Sequence, residues 1–282
     1  MEYGWRSLLF VSAIDEGRIE KALRSPADAV VIDLEDAVHP EMKSEARAVL
    51  RRLDTSAWGL KPIVIRPNGV DTAWWADDRD LMEELGGLAA VMVPKASRSG
   101  LPNASEVPGP LIALIETAIG VEEALAVAQD PRVRRLMLGS ADLAADLGLE
   151  LTLAETELAY PRARLAMASA AAGIEAPIDA VHLDVRDPEG MRVSTRRGSA
   201  LGFSAKACIH PDQVGIANDE HTPNIATVDR AREVVEIARA MAESVSGVGI
   251  APDGAFVDRP VIMRAQQILA RARRMEEAER NG

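Results

Sequence analysis

Eight short runs of apolar or β-branched residues recur along the chain, with more polar helical stretches between them. The runs span residues 7–11, 29–34, 62–66, 89–94, 111–115, 135–138, 178–183 and 203–209. The stretch 40–53 illustrates the helices, because the acidic Glu41 comes early in it and the basic Arg52 late, as the helix dipole favours. Alternation of strands and helices predicts a parallel β-sheet.

Two features favour a closed barrel over an open sheet. Several of the runs are almost wholly apolar, as strands buried on both faces are. No G-x-G-x-x-G motif follows the first run, where a dinucleotide-binding sheet would carry one. The chain has 282 residues, and one barrel needs about 250. We therefore predict the α/β class and a single (β/α)₈ TIM barrel over residues 1–217.

Two further helical patterns follow the eighth run, at 227–244 and 260–280, with a Gly-rich link at 247–254 between them. The first pattern repeats apolar residues at helical spacing over 228–238, so it has a face to bury. We predict that residues 218–282 form a C-terminal helical extension, packed on the barrel or on a neighbouring subunit.

The acidic composition narrows the classes of partner. The chain has 32 Lys and Arg residues against 44 Asp and Glu residues, a formal net charge of −12 that disfavours nucleic acid and anionic membranes. No apolar run is long enough for a membrane span or a signal peptide. The lone Cys208 excludes an intramolecular disulfide, and we interpret it as a small buried strand residue. We expect a cytoplasmic protein.

Charged residues close five of the predicted strands. In a barrel the carboxyl ends of the strands form the active site. The closing segments are Asp33-Leu34-Glu35-Asp36, Arg66, Lys95, Glu116 and Gly139-Ser140-Ala141-Asp142. Carboxylates gathered on one rim repel one another unless a cation lies between them. The pattern therefore indicates a divalent metal ion at this rim.

Glu116 and Asp142 are the candidate metal ligands, because they follow neighbouring strands. Two carboxylates, with the other positions left to water and substrate oxygens, favour Mg²⁺ over zinc. The four histidines, His39, His182, His210 and His221, show no paired metal-ligand spacing. We interpret His210 as a structural hydrogen-bonding residue.

Three other groups on this rim each have a chemical and a structural interpretation. Arg66 is either an outward ion-pair partner or a forked donor to a carboxylate or enolate oxygen. Lys95 is either a Schiff-base amine or an ion-pair partner of the acidic residues, and we prefer the ion pair. The turn Gly139-Ser140-Ala141 offers backbone NH groups to a substrate carboxylate.

The ordered series of motifs resembles one known family. The motifs are Arg6-Ser7-Leu8-Leu9-Phe10-Val11, Asp33-Leu34-Glu35-Asp36-Ala37-Val38, Val93-Pro94-Lys95, Ile115-Glu116-Thr117, Gly139-Ser140-Ala141-Asp142-Leu143 and Ile209-His210-Pro211. Together they resemble the citrate lyase beta-subunit-like family, which belongs to a wider set of metal-dependent barrel aldolases and lyases. That set includes malyl- and citramalyl-coenzyme A lyases. The resemblance extends from Arg6 to about Pro260.

The resemblance implies a trimeric or hexameric barrel with Mg²⁺ held by Glu116 and Asp142. It implies that Arg66 binds substrate. It also implies that Glu35 and Asp36 order water around the metal, and Lys95 lies beside them in the supporting shell.

The C-terminal segment 254–260 is similar to a family motif whose aspartate enters the active site of an adjacent subunit. The resemblance therefore implies that Asp258 is the acid/base. The expected reaction is magnesium-dependent retro-Claisen cleavage of a 2-hydroxy-acid thioester of malyl, citramalyl or citryl type. Its products are a 2-oxo acid and an acetyl thioester.

Three alternatives stay open at this point. The same site could hydrolyse the thioester or catalyse a condensation like that of malate synthase. The chain could be the β subunit of a citrate lyase complex, acting on an acyl-carrier-protein thioester instead of a coenzyme A thioester. A purely structural barrel is the third alternative, and it leaves the acidic rim unexplained.

Overall fold

The computed structural model closes eight parallel strands into one barrel. It describes residues 4–53, 61–103, 106–243, 249–251 and 254–281. Each strand pairs with the next one along the chain, and β8 pairs with β1 to close the sheet. The predicted (β/α)₈ barrel is therefore confirmed. The strands are β1 (Ser7–Ser12), β2 (Ala29–Asp33), β3 (Ile63–Arg66), β4 (Ala90–Val93), β5 (Leu111–Ile115), β6 (Val133–Leu138), β7 (Ile178–Asp179) and β8 (Ala205–Cys208).

Burial explains why the strands form where the apolar runs lie. Strands β2, β3, β4, β5 and β8 are buried along their whole length, as expected between packed barrel side chains and outer helices. The prediction is too long at 178–183, where only Ile178–Asp179 pairs as β7. Beyond Asp179 the chain leaves the sheet, and Val181 and Leu183 line a cavity on the way to the helix cap Asp187.

Helices follow the strands as predicted except after β4, where the described residues before β5 contain turns and no helix. Some of the helices begin at capping side chains, as at Asp15 and Thr117, which accept hydrogen bonds from backbone amides three residues ahead. None of the described helices is long and apolar enough to cross a membrane. Single 3₁₀ turns at Pro40–Met42 and Thr156–Leu158 precede α2 and α7. The helices are α1 (Glu16–Leu23), α2 (Lys43–Arg52), α3 (Trp75–Leu85), α4 (Ala118–Glu122), α5 (Ala124–Ala128), α6 (Ser140–Leu147), α7 (Ala159–Ala172), α8 (Pro188–Ala200) and α9 (Pro211–His221).

The chain divides into two compact units after His221. The second unit contains α10 (Ile225–Glu243), the short strands β9 (Gly249–Ile250) and β10 (Phe256–Val257), and α11 (Arg259–Asn281). Both predicted helices are present. The sequence pattern does not predict the antiparallel pair of β9 and β10, because two-residue strands are too short to show alternation. The core of this unit consists of small and aliphatic side chains, namely Ala231, Val234, Met241, Ala251, Val257 and Ala265.

Candidate active site

Strand register brings the predicted rim residues together. Asp33 pairs with Arg66 across β2 and β3, and the last residues of β5 and β6 are also partners, so Glu116 and Gly139 follow at the same level. The side chains of Arg66 and Glu116 are buried although both are charged. A buried charge needs a partner, so the contacts of each residue show what the site is built to hold.

Glu116 is one of two rim carboxylates, with Asp33, of which only 1% of the residue is exposed. Its Oε1 accepts a hydrogen bond from the backbone N of Lys95 at 2.8 Å. Its Oε2 faces Gly139, where an added Cβ would lie only 2.7 Å from that oxygen. Glycine is therefore required at position 139 to leave room for the carboxylate.

The electrostatics of Glu116 show that the site favours a cation. Burial, and after it the negative charges of Glu35 and Asp142, raise the pKa of Glu116 from its ordinary value of 4.5 to about 8. Without a cation this carboxyl keeps its proton at neutral pH, whereas a bound divalent ion favours the ionised form.

The donor set fits magnesium. Asp142 lies half-buried in the first turn of α6 and is close enough to Glu116 to raise its pKa. Over the described residues, no group of three or more His, Cys, Asp or Glu side chains is placed to share one ion. Mg²⁺ usually binds one or two protein carboxylates and fills its other positions with water and substrate oxygens. The pair of Glu116 and Asp142 therefore suits Mg²⁺.

Arg66 points into the site and is held there by Asp33. Its Nε donates to Asp33 Oδ1 at 2.7 Å and its Nη2 donates to Asp33 Oδ2 at 2.6 Å. Its Nη1 lies 3.2 Å from Glu35 Oε2 and 3.6 Å from Asp36 Oδ2. Burial lowers the pKa of Arg66, but its hydrogen bonds and ion pairs outweigh burial and raise it above the ordinary value. The geometry contradicts the outward interpretation of this arginine.

Lys95 links two of the acidic residues. Its Nζ donates to Glu35 Oε1 at 3.0 Å, while its backbone N donates to Glu116. Burial lowers the pKa of Lys95, but the hydrogen bond and charge of Glu35 outweigh it, so the pKa is raised overall. A raised pKa keeps the ammonium charged, which opposes Schiff-base chemistry, and the predicted ion pair is confirmed.

The backbone of Lys95 is unusual as well. Its φ is 48°, in the left-handed region that residues other than glycine rarely adopt. This conformation lets one residue present its amide to Glu116 and its ammonium to Glu35. Backbone strain of this kind is common at functional sites.

The turn 139–141 begins α6, as predicted. Gly139 is the N-cap of this helix and has no side chain that could accept from its first amides. Ser140 is buried beside it. The helix N-terminus next to Glu116 therefore offers backbone donors and a partial positive charge to an anion.

Asp258 lies in the C-terminal unit, half-buried at the start of α11. Its Oδ1 accepts a hydrogen bond from Val261 N at 3.2 Å, so it caps this helix. A capping role is thus present in the structure, and an acid/base role stays a prediction.

Several supporting residues are not identified in the sequence. Asp33 appears there only as the end of an acidic motif, with no sign that it binds Arg66. Lys43 is buried and donates to the backbone oxygens of Leu34 and Glu35, both at 2.7 Å. Nothing in the helical pattern around Lys43 marks it. Lys43 therefore stabilises the acidic turn, residues 34–37 after β2. This role depends on tertiary contacts, so the sequence alone does not show it.

Two structural interpretations from the sequence are confirmed. His210 Nδ1 accepts a hydrogen bond from Asp212 N at 3.3 Å. Cys208 is fully buried, and burial raises the pKa of its thiol to about 12. Neither residue has the environment of a catalytic nucleophile or base.

A cavity of about 670 Å³ adjoins the site. Asp33 and Phe10 belong to its wall, and the Arg66 guanidinium lies 5.5 Å from the centre of the Phe10 ring. The rest of the lining is apolar near the strand ends and basic at α1, and consists of Leu9, Val11, Ser12, Arg18, Lys21, Ala22, Ala37, Ile209, His210 and Pro211.

The model of the HpcH/HpaI aldolase/citrate lyase family matches residues 6–101 and 102–211. The chain belongs to this family. Membership in the aldolase/citrate lyase family confirms the resemblance drawn from the strand-end motifs. It also makes the chain an enzyme of the carbon–carbon lyase class.

Similar proteins cover nearly the whole chain. A (3S)-malyl-CoA thioesterase from Cereibacter sphaeroides is 34% identical over 272 residues, which are 95% of this chain and 94% of the relative. An L-malyl-CoA/beta-methylmalyl-CoA lyase from the same species is 31% identical over 301 residues, covering 95% and 94% of the two chains. One of these relatives is thus named for thioester hydrolysis and the other for carbon–carbon cleavage.

A solved structure of a family member contains a metal ion. The protein CitE from Mycobacterium tuberculosis, in complex with magnesium, acetoacetate and coenzyme A, is 33% identical with a TM-score of 0.78. The similarity covers 94% of this chain and 97% of that chain.

Proposed function

We propose that this chain is a magnesium-dependent lyase that cleaves a 2-hydroxy-acid coenzyme A thioester into a 2-oxo acid and acetyl-coenzyme A. The observation that supports this most is the buried Glu116 carboxyl, whose pKa is raised to about 8 beside Asp142 and within reach of the Arg66 charge. Related proteins act on malyl-type thioesters and CitE binds magnesium, as their names state.

Glu116 and Asp142 hold the ion in this proposal. The Lys95 amide fixes one oxygen of Glu116, and Gly139 leaves space at the other. When bound, Mg²⁺ supplies a Lewis acid to the hydroxyl and carboxylate oxygens of the substrate. Glu35, Asp36 and Lys95 surround these ligands and order nearby water.

Substrate orientation comes from the start of α6. The backbone NH groups of Ser140 and Ala141 bind the carboxylate next to the hydroxyl-bearing carbon, whereas the Gly139 NH already donates to Ile115 O at 2.9 Å. The helix dipole adds to this attraction, and the absence of a side-chain cap at Gly139 supports it.

Cleavage breaks the bond between the hydroxyl-bearing carbon and the methylene carbon next to the thioester. The hydroxyl gives its proton to the acid/base Asp258 and becomes the carbonyl of the 2-oxo acid, while the bonding pair moves onto the thioester oxygen as an enolate. Arg66 donates to that oxygen from the edge that Asp33 leaves uncovered. Asp258 of an adjacent subunit carries the proton to the methylene carbon, which completes acetyl-coenzyme A.

The cavity beside Asp33 accepts the thioester arm. Its apolar wall, which includes Val11 and Ile209, suits the pantetheine chain, and Arg18 and Lys21 on α1 suit the phosphates. These cations give an anionic ligand a local positive site on a chain with a net charge of −12.

Thioester hydrolysis is the second candidate, and the 34% identity to a malyl-CoA thioesterase favours it. A thioesterase uses the same arm cavity and the same metal site but directs water at the thioester carbonyl. The two functions therefore differ in their products and share their binding residues.

Product identification tests both candidates. The purified chain is incubated with Mg²⁺ and malyl-, citramalyl- or citryl-coenzyme A, with Glu116→Gln as the matched inactive control. A 2-oxo acid together with acetyl-coenzyme A indicates the lyase, whereas a free hydroxy acid together with coenzyme A indicates the thioesterase. Absence of turnover with all three coenzyme A thioesters would contradict the proposal. The corresponding acyl-carrier-protein thioesters are assayed in parallel, and turnover of these alone would indicate a subunit of a citrate lyase complex.

A further inference from the structure

The Asp33 carboxylate is fully occupied by hydrogen bonds inside the protein. Oδ1 accepts from Arg66 Nε at 2.7 Å and from Glu35 N at 2.9 Å, and Oδ2 accepts from Arg66 Nη2 at 2.6 Å and from Ala37 N at 3.0 Å. Only 1% of the residue is exposed. With four donors on its two oxygens, this carboxylate has no capacity left for a metal ion or a substrate.

We propose that Asp33 is a positioning residue, which sets the orientation of Arg66 and of the acidic turn with one carboxylate. The inference rests on the proposed function, because it concerns the edge of Arg66 that meets the substrate.

The planar guanidinium makes this orientation specific. Asp33 binds the edge formed by Nε and Nη2, so the edge formed by Nη1 and Nη2 faces away from it. The Phe10 ring lies near the guanidinium, 5.5 Å from its carbon, and restricts its movement further. Arg66 is thereby held with its second edge away from Asp33, where Nη1 lies 3.2 Å from Glu35 Oε2 and the edge can donate to a developing negative charge.

The same carboxylate fixes the turn that follows β2. It binds the amides of Glu35 and Ala37, while Lys43 binds the carbonyls of Leu34 and Glu35. Glu35 is thus held where its Oε1 meets Lys95 and its Oε2 lies 3.2 Å from Arg66 Nη1. Displacement of Asp33 would therefore move the arginine and the turn together.

Asp33→Asn is the central test variant, because it keeps the shape of the side chain. An amide NH₂ would replace one of the two oxygens and would then face two donors, so two of the four hydrogen bonds are lost along with the charge. We expect kcat/KM to fall about 10²-fold, mainly in kcat, as misplacement of a catalytic group by about 1 Å does. Magnesium affinity should stay near the wild-type value, because Asp33 is not a ligand.

Asp28→Asn is the matched control. Asp28 binds the Arg6 guanidinium through Nε and Nη2, both at 2.9 Å, but it precedes β2 at the opposite end of the barrel. It should cost stability and leave kcat unchanged. Asp33→Glu keeps the charge and moves it by one methylene, so it tests orientation if Asp33→Asn does not fold.

A double-mutant cycle separates positioning from general support. If Asp33 acts through Arg66, Asp33→Asn should add less than about 10-fold to the loss caused by Arg66→Lys. The proposal would be overturned if the double variant lost kcat/KM by the full product of the two single losses. It would also be overturned if Asp28→Asn lowered kcat as much as Asp33→Asn does.

Crystal structures of the wild-type chain and Asp33→Asn make the test independent of the assigned reaction. Arg66 and the turn 34–37 should shift while Glu116 stays in place. An unmoved Arg66 would overturn the positioning role. If the wild-type chain acts on none of the three thioesters while Arg66 still shifts, the proposed function has failed and the positioning role stands.

Discussion

The barrel mouth and the α7/α8 side of the barrel both bury charged residues, but they balance them differently. On the α7/α8 side, Asp179 binds Arg162 through Nε at 2.8 Å and Lys206 through Nζ at 2.8 Å, and Glu155 takes the remaining Arg162 edge at 2.9 Å. Two carboxylates thus face three cations there, because Arg197 Nη1 also lies 3.7 Å from Glu155 Oε2. Burial raises the pKa of Asp179, but Lys206 and Arg162 outweigh it, and the pKa falls below its ordinary value.

The mouth has an excess of negative charge instead. Five carboxylates, those of Asp33, Glu35, Asp36, Glu116 and Asp142, face the three cations Arg66, Lys95 and Lys43. Burial, and after it the neighbouring negative charges, raise the pKa of Glu116 to about 8. Burial of charge alone therefore does not indicate a functional site. A buried cluster with excess negative charge, which needs an additional cation, does indicate one.

Loss of activity should be largest for substitutions of the proposed metal ligand Glu116 and the proposed acid/base Asp258. Glu116→Gln and Asp258→Asn homo-oligomers should each lose at least about 10²-fold in rate, and co-refolded mixtures of the two should regain activity. Rescue is expected because some sites then combine an intact metal centre with an intact aspartate from a neighbouring subunit. Steady-state rates of the mixtures measure it.

The matched control mixes Glu116→Gln with Asp142→Asn. Both substitutions affect the same metal centre, so every site lacks one ligand and the mixture should stay inactive. If verified hybrids of Glu116→Gln and Asp258→Asn are as inactive as this control, Asp258 is only the cap of α11.

Arg66→Lys should follow in size, with a loss of about 10²- to 10³-fold in kcat. Lysine cannot bind Asp33 with one edge and a developing enolate with the other. Arg6→Lys, which changes the equivalent pair at the opposite end of the barrel, should leave kcat near the wild-type value. Near-normal turnover of Arg66→Lys would show that Arg66 has a structural role and does not stabilise the enolate.

The α7/α8 cluster should respond in stability. Asp179→Asn leaves two buried cations without their shared partner and should cost about 3–5 kcal/mol of unfolding free energy. Urea denaturation measures this loss, and magnesium affinity should not change. A cost below about 1 kcal/mol would show that Asp179 is not an important shared partner of Arg162 and Lys206.

The eight strands and the acidic rim could be predicted because both follow from local patterns. Apolar runs of strand length mark buried parallel strands, and barrel topology sends all their carboxyl ends to one rim. The pairing of Asp33 with Arg66 could not be predicted in this way. It depends on the register of β2 against β3 across 33 residues of sequence, which no local pattern specifies.

Other differences have equally specific causes. The apolar run at 178–183 is too long as a strand prediction because its second half lines a cavity. Lys43 looks like an ordinary polar helix residue until the fold places it behind the turn 34–35. Helical periodicity predicts which face of α2 is buried, but it does not predict which carbonyl oxygens that face meets.

A further expected effect is the pH dependence of stability without metal. The carboxyl of Glu116 titrates near 4.5 in the unfolded chain and near 8 in the folded chain, so the folded chain binds more protons between these values. Its contribution to stability is therefore full below pH 4.5 and is lost as the pH rises to about 8. Urea denaturation in EDTA should show this decline in the wild-type chain and a smaller decline in Glu116→Gln. Identical pH dependence in both proteins would contradict the raised pKa.

Calorimetric titration of Mg²⁺ at pH 7, in buffers of different ionisation enthalpy, decides whether Glu116 is a metal ligand. A carboxyl that titrates near pH 8 is mostly protonated at pH 7, so the wild-type chain should release close to one proton per bound ion. Glu116→Gln should bind Mg²⁺ much more weakly and release no proton. Equal affinity in the two proteins, or binding to the wild-type chain without proton release, would contradict a metal centre built on Glu116.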